Sequence, residues 1–200
     1  VDLLCTPTVA TLERRKSVSF SIPVYTAGVT AMVRKDAPAA LLNVLNGKPA
    51  SEGPTWRATL NRGLTNQTFA VVAGGVTEHW VRQQLQSLGV IATVIALPDN
   101  QAGMEAVAQG KAHAFFSARM VLKNLLAQRV AGDGLMLVER IYEYAPVSMV
   151  LPRGDEDFRL LVDTTISQMY RSGEIEQAYD TYLGGTTPSI RKMFKLYALP

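Results

Sequence analysis

The sequence predicts an α/β protein built on a largely parallel sheet covered by helices. From Phe69 onward, short apolar runs rich in β-branched residues alternate with stretches whose apolar residues recur at helical spacing. Glycines end several of the helical stretches, as expected for helix C-termini. Strands that alternate with helices are typical of parallel pairs joined by helical crossovers.

The run Phe69–Ala73 (FAVVA) predicts the first strand of this region. After Gly74-Gly75, the sequence from Thr77 to Leu88 predicts a helix with apolar residues on one face, which ends at Gly89. The same reasoning gives a strand at 90–96, a short helix that stops at Gly110, a strand at 112–116, a helix at 117–129 and a strand at 135–138.

Beyond Pro152, apolar residues at helical spacing predict a long helix, and Gly173 separates it from a second helix that runs to Gly184-Gly185. The acidic triplet Asp155–Asp157 opens the first of these helices. Negative charge is favourable at a helix N-terminus, so helix capping is a better interpretation of the triplet than a metal site.

Residues 36–66 fit no clear element and predict an extended connection or insertion on the surface. Prolines and glycines interrupt this polar stretch. A short helix is possible where Leu41, Leu42 and Leu45 follow one another at helical spacing.

Composition excludes several classes of protein. Of 200 residues, 48% are hydrophobic and 18% are charged, which is typical of a globular chain and not of a disordered one. The net charge is +3, but the basic residues are scattered, so nucleic acid is not an expected partner. Cys5 is the one cysteine, so no internal disulfide can form, and we expect its thiol to be a small buried apolar group.

Familiar catalytic and phosphate-binding motifs are missing from the sequence, and no metal or cofactor is expected. His79 and His113 are isolated, and a structural or surface role is the better interpretation of both.

Two stretches suggest a site for a carboxylate. The strand-to-helix turn Gly74–Thr77 offers backbone N–H groups at a positive helix end, although a tight turn needs no ligand. The stretch CTPTVATLERRKSVSF (residues 5–20) combines threonine hydroxyls with Arg14, whose planar fork matches a carboxylate. Either this stretch is a solvated turn between two strands, or Arg14 and the Gly75–Thr77 turn hold a carboxylate between two lobes.

The run VDLLCTPTVATLERRKSVSFSIPVYTAG resembles the signature of the family 3 extracellular solute-binding proteins, the amino-acid receptors of bacterial ABC importers. The resemblance continues through AVVAGGVTEHWVRQQL and QGKAHAFFSARMVLKNLL. It extends through YEYAPVSMVLPRGDEDFRLLVDTTISQMYRSGEIEQAYDTYLGG to the terminal YALP. Only the 36–66 connection falls outside it.

This resemblance implies a two-lobed type II periplasmic-binding-protein fold, each lobe a mainly parallel sheet flanked by helices. Two hinge strands would cross between the lobes, near Tyr25–Val33 and Glu143–Met149. Residues 1–30 and 143–200 would then form lobe I and residues 31–142 lobe II. Family members usually begin with further elements of lobe I, so the resemblance implies a chain that lacks that part and an incomplete set of site residues.

In lobe I, the resemblance implies that Arg14 grips the ligand carboxylate, with Arg15 as the alternative. The carbonyl of Pro7, the hydroxyl of Thr8 and the amide of Val9 would complete this side, Val9 standing where the family usually has a hydroxyl residue.

In lobe II, the family commonly has an acidic residue at the position of Ala118, where it holds the α-amino group of the ligand. Alanine cannot do so, and a buried ammonium without a counter-charge is costly. The resemblance therefore implies that the carboxylate clamp is kept and the amine clamp is lost. The expected lobe II contacts are Gly75, Val76, Thr77, Asn100 at the side-chain end of the ligand, Ser117 and Ala118.

The expected function is that of an exported, periplasmic and monomeric binding protein, which is not an enzyme and delivers a small carboxylated solute to an ABC permease of the inner membrane. Two alternatives stay open. One is an enzyme on the same scaffold, similar to periplasmic cyclohexadienyl dehydratases, with Glu13 or Glu143 as the general acid. The other is the ligand-sensing domain of a receptor.

Overall fold

A computed structural model describes residues 2–48, 62–128, 134–183 and 185–200. The chain divides into two compact units, which are described one at a time. Unit 1 comprises Val1–Ala27 and Ala145–Pro200, and unit 2 comprises Gly28–Tyr144.

The strands are β1 (Leu4–Val9), β2 (Ser19–Phe20), β3 (Tyr25–Arg34), β4 (Thr68–Val72), β5 (Thr93–Leu97), β6 (Ala114–Ala118), β7 (Leu135–Leu137) and β8 (Glu143–Leu151). The α-helices are α1 (Ala39–Leu45), α2 (Val76–Leu88), α3 (Asn100–Ala108), α4 (Arg119–Ala127), α5 (Glu156–Ser172), α6 (Glu174–Tyr182) and α7 (Pro188–Tyr197). Single turns of 3₁₀ helix occur at Arg14–Lys16 and Arg62–Leu64.

The sheet of unit 2 is mixed. Strand β4 is central and pairs in parallel with β5 and with β6, while β3 pairs antiparallel with β6 and with β7. The helices α2, α3 and α4 follow β4, β5 and β6, so the predicted alternation of strands and helices is confirmed.

Both faces of the central strands β4 and β6 are buried, which explains why these strands are continuous apolar runs, whereas the edge strand β5 is partly exposed. Successive side chains of a strand point to opposite faces. One core therefore contains Ala31, Val33, Phe69, Val71, Ala114 and Phe116, and the other contains Met32, Ala70 and Phe115 from the positions between them.

The described strand pairs of unit 1 are antiparallel, in contrast to the mainly parallel sheet that was expected in each lobe. Strands β1 and β2 both pair with β8 in opposite directions. The core consists of Leu151 of β8 together with residues of α5, α6 and α7, which are Val162, Ile166, Tyr170, Tyr179 and Phe194.

Asp155 caps α5, as the sequence predicts. Its carboxylate accepts a hydrogen bond from the Phe158 amide at 2.9 Å. The next residue, Glu156, forms an ion pair with Arg159. Gly173 adopts the left-handed conformation (φ 86°) and separates α5 from α6, which confirms that boundary.

Cys5 was expected to be buried, but it is exposed. Its neighbours Leu4 and Thr6, on the opposite face of β1, are exposed as well, so neither face of the strand is covered at this point. The short helix around Leu41 and Leu45 exists, and both side chains are buried. The remainder of the 36–66 connection lies largely outside the described residues, as does Gly184. The helix expected at 117–129 begins at Arg119, because Ser117 and Ala118 still belong to β6, and it ends at Ala127. No helix in the described part of the chain is long and apolar enough to cross a membrane.

Candidate functional site

Arg14 lies in an exposed 3₁₀ turn that follows β1 in unit 1. The Thr11 hydroxyl accepts a hydrogen bond from the Arg14 amide at 3.2 Å, which starts the turn. The guanidinium then reaches back, and its Nη1 donates to the Val9 carbonyl at 2.8 Å. This bond holds the side chain at the end of β1, and a guanidinium has further N–H donors for a carboxylate.

The other predicted residues of unit 1 lie in β1. Thr8 is paired with Ser148 of β8, and its hydroxyl donates to the Thr6 carbonyl at 3.2 Å. Val9 is paired with Val147, and Pro7 lies between these residues and the start of the strand.

Arg15, the alternative to Arg14, has a different environment. Its guanidinium lies over the Phe20 ring, 5.5 Å from the ring centroid. Of the two arginines, Arg14 is therefore the one that contacts the end of β1, where Thr8 and Val9 lie.

The Gly74–Thr77 turn leads from β4 into α2, as predicted, with Gly75 as the extended N-cap residue. The Gly75 amide makes a long hydrogen bond of 3.4 Å to the Val72 carbonyl. Among the described residues, no acceptor is recorded for the amides of Val76 and Thr77. These two N–H groups therefore remain available to an anion at the positive end of α2.

The carboxylate of Glu78 already occupies part of this helix end. It accepts a hydrogen bond from the Gly74 amide at 2.8 Å and forms an ion pair with Arg82 at 2.8 Å. The Gly74 bond, followed by the bond from Arg82, lowers the pKa of Glu78 below its usual value. This capping role of Glu78 was not predicted, although a glutamate in the first turn of a helix is a recognisable signal.

Asn100, Ser117 and Ala118 meet in unit 2. The Ser117 hydroxyl donates to the Asn100 Oδ1 atom at 2.8 Å. Ala118 ends β6, is half-buried and serves as the N-cap residue of α4 without a side-chain capping bond. Both Ser117 and Asn100 were predicted to lie at the site, but the hydrogen bond between them was not predicted.

These residues share one edge of the unit 2 sheet with the Gly74–Thr77 turn. Strands β4, β5 and β6 run in parallel, and Phe69 lies opposite Ala114. The carboxyl ends of β4, β5 and β6 therefore lie at the same edge of the sheet. The carboxyl edge of a parallel sheet is the usual place for a ligand in an α/β domain.

Both glutamates considered as general acids already have partners. Glu13 forms a 2.5 Å ion pair with the exposed Lys16. Glu143 accepts a hydrogen bond from the Trp80 indole at 3.0 Å. His113 has a structural role, since its Nδ1 atom accepts a hydrogen bond from the Thr68 amide at 2.9 Å.

An aromatic cluster of Trp80, Phe116 and Tyr142 lines a cleft of about 400 Å³ in unit 2. The Trp80 and Phe116 rings both pack on Tyr142, with centroids 5.7 Å away in each case. Burial raises the pKa of the Tyr142 hydroxyl, which donates to the Leu45 carbonyl at 3.0 Å. Trp80 belongs to α2 and Phe116 to β6, so the cluster packs that helix against the sheet.

Comparison with known proteins decides the family. The family model for bacterial extracellular solute-binding proteins, family 3, matches residues 1–185. The chain belongs to this family of solute-binding proteins. The resemblance noted in the sequence is thereby confirmed.

The curated relatives of this solute-binding protein are longer than the chain. A glutamate/aspartate import solute-binding protein of Salmonella typhimurium is 24% identical over 190 residues, which are 94% of the chain and 56% of the relative. An L-glutamate/L-aspartate-binding protein of Pseudomonas aeruginosa is 22% identical with the same coverage. An L-cystine-binding protein of Escherichia coli is 21% identical over 184 residues, which are 92% of the chain and 60% of the relative. The chain thus spans somewhat more than half the length of these relatives.

Solved structures confirm the fold class. An amino-acid ABC transporter substrate-binding protein of Streptococcus pneumoniae, bound to L-arginine, superposes with a TM-score of 0.66 at 20% identity. The match covers all of the chain and 70% of that protein. An ancestral amino-acid-binding protein, described as a precursor of cyclohexadienyl dehydratase, superposes with a TM-score of 0.68 at 21% identity and covers 90% of the chain and 68% of that protein. The solute-binding protein therefore has the type II periplasmic amino-acid-binding fold.

Proposed function

We propose that this solute-binding protein is the periplasmic ligand-binding component of an ABC importer, that it is monomeric, and that it is not an enzyme. The observation that carries the proposal is the family match over residues 1–185. Its ligand would lie between two lobes, lobe I formed by residues 1–30 and 143–200 and lobe II by residues 31–142.

The carboxylate end of the ligand would be held from both lobes. Arg14 would grip it in lobe I, supported by Thr8, Pro7 and Val9. The Gly75–Thr77 turn would hold it in lobe II through the amides of Val76 and Thr77, since the structure records no acceptor for them among the described residues. A planar guanidinium and a helix N-terminus are both suited to a carboxylate.

The amine end of an amino acid would be held less well. Ala118 offers no charge, and the Ser117 hydroxyl, which donates its proton to Asn100, offers an ammonium group only a neutral oxygen. The carboxylate of Glu78 lies at this edge as well, but the Gly74 amide and Arg82 already engage it, so we do not expect it to hold the amine. We infer that the preferred ligand is a small carboxylate that lacks an α-ammonium group, or an amino acid whose amine is held by neutral acceptors.

Isothermal titration calorimetry with a panel of α-amino acids and the matching carboxylates that lack the amine would test this proposal. We expect the amine-free carboxylates to bind more tightly, and Arg14→Gln to abolish the heat of binding. Submicromolar binding of a common α-amino acid would contradict the inference from Ala118 while leaving the binding function intact. An Arg14→Gln protein that binds as tightly as the wild type would contradict the clamp.

The enzyme alternative is weaker. One structural neighbour is described as a precursor of cyclohexadienyl dehydratase, but the two candidate acids of this chain are engaged with Lys16 and Trp80. Turnover of prephenate, followed by ultraviolet absorbance, separates the two functions. We expect none above the uncatalysed rate.

A further inference from the structure

Unit 1 contains a polar cleft that is not part of the proposed ligand site. Its volume is about 500 Å³, and it lies beside β2 at the start of α5. The polar and aromatic residues that line it are Arg15, Ser19, Phe20, Arg153, Glu156 and Arg159. Three guanidinium groups thus meet one carboxylate in a single cleft.

Only one of these arginines is neutralised. Arg159 forms ion pairs with Glu156 at 2.5 Å and with Asp163 at 3.1 Å. No carboxylate of the described residues forms an ion pair with Arg15 or Arg153. The cleft therefore carries two positive charges that no carboxylate of the described residues neutralises.

Both unpaired guanidinium groups are held in place from one side. Arg15 lies over the Phe20 ring at 5.5 Å, and the Nη1 atom of Arg153 donates to the Lys16 carbonyl at 2.5 Å. Stacking and a backbone hydrogen bond reduce the conformational entropy that a partner would have to remove. The remaining N–H donors of each fork stay available for a carboxylate.

The openness of the surface favours a macromolecular partner. Arg15 and Arg153 are both exposed. A small anion on so open a surface keeps most of its water and gains little from each pair. A chain with several carboxylates engages both guanidinium groups at once, so each contact after the first is effectively intramolecular. The end of α5 contributes little, since Asp155 already caps it.

We propose that this cleft is a docking surface for an acidic segment of a protein partner. The charge complementarity of two oriented, unpaired arginines carries the proposal. It does not depend on the identity of the ligand or on the function of Arg14, because the cleft is formed by other residues of unit 1.

Fluorescence anisotropy of a labelled octaglutamate peptide tests the proposal on the whole chain. We expect saturable binding that weakens as salt rises, because exposed charges are screened. Arg15→Gln/Arg153→Gln should weaken it by about five- to tenfold, since one exposed ion pair accounts for a factor of a few. Lys111→Gln/Lys123→Gln removes the same charge from exposed positions in unit 2 and should change the affinity less than about twofold.

A third variant, Arg15→Lys/Arg153→Lys, keeps the charge but removes the planar forks, and we expect it to bind with intermediate affinity. It also keeps the proposal testable if the glutamine variant fails to fold. Equal losses in the glutamine variants of the two units would overturn the proposal in favour of a net-charge effect. It would also be overturned by no measurable binding, or by tighter binding of inorganic phosphate or of an oligonucleotide of the same charge.

Discussion

Ala118 has two structural roles. It ends β6 at the proposed ligand edge, and it is the N-cap residue of α4 with φ −60° and ψ 130°. An extended backbone of this kind suits a capping side chain, and alanine provides none. One substitution here can therefore change both ligand affinity and helix stability.

Ala118→Asp should increase the affinity for α-amino acids by about tenfold to a hundredfold. A charge-assisted hydrogen bond to the ammonium would contribute about 1.5–3 kcal/mol. The same carboxylate would cap α4 and raise the free energy of unfolding by about 1 kcal/mol. Calorimetry measures the first effect and chemical denaturation the second.

Ala118→Asn is the matched control, because asparagine caps a helix as well as aspartate but carries no charge. We expect it to reproduce the gain in stability without the gain in affinity. Equal affinity of the two variants for amino acids would contradict a missing counter-charge at this position.

Glu78 gives a pH-dependent contribution to stability. Its pKa is lowered in the folded protein by the Gly74 amide and by Arg82, so the charged form is favoured by folding. The contribution is present above the usual pKa of 4.5 and disappears as the pH falls through the lower folded value. We expect the melting temperatures of the wild type and Glu78→Gln to differ at neutral pH and to converge in acid.

Differential scanning fluorimetry of both proteins across the acid range measures this convergence. A difference that stays constant down to the lowest pH would show that Glu78 acts by packing and not by charge.

At the scale of elements, α3 lies so close to the sheet that one helical position admits no side chain. A Cβ atom at Gly103 would overlap the ring of Phe115, which is fully buried in β6. Alanine improves helix propensity by up to ~1 kcal/mol, but overpacking costs about 1–3 kcal/mol. We expect Gly103→Ala to lower the free energy of unfolding by about 1–2 kcal/mol, as measured by urea denaturation.

The double variant Gly103→Ala/Phe115→Leu identifies the cause. The smaller side chain makes room for the new methyl group, so the combined loss should be less than the sum of the two single losses. Additive losses would show that the helix, and not the contact with Phe115, is what the alanine disturbs.

Local sequence signals predicted the strands and helices that follow Phe69, but the predicted start of β5 was wrong because the residues before it complete the end of α2. Gly89 ends α2 in the left-handed conformation, as predicted. The next amide, Val90, then donates to the Leu85 carbonyl and completes that helix end. Strand β5 therefore begins at Thr93 and not at Val90.

The site was predicted only as far as local signals reach. The turn before α2 follows from its glycines, while the role of Arg14 at the ligand stays a prediction. The bond between Ser117 and Asn100 joins residues 17 positions apart and depends on the packing of β6 against α3. Periodicity and propensity contain no information on such pairs.

At the scale of the whole molecule, unit 2 is one continuous stretch of chain with its own core. Both of its hydrophobic clusters consist of residues between Val29 and Tyr142. Unit 1, in contrast, is assembled from two separate stretches. A domain with a complete core can fold alone.

We therefore expect a fragment of residues 28–144 to fold by itself. Circular dichroism should show helix and strand content and a cooperative thermal transition, and the near-ultraviolet signal of packed aromatic residues should be present. A fragment that keeps secondary structure but lacks the near-ultraviolet signal would contradict this expectation.

The hydrogen bond between Trp80 and Glu143 gives the protein an optical reporter. The sequence contains one other tryptophan, Trp56, so Trp56→Phe leaves a single indole as the source of long-wavelength fluorescence. That indole is bonded to the first residue of β8, the strand in which the chain leaves unit 2 for unit 1. Its emission maximum would report, without a dye, any change in the polarity around the start of that strand when a ligand is added.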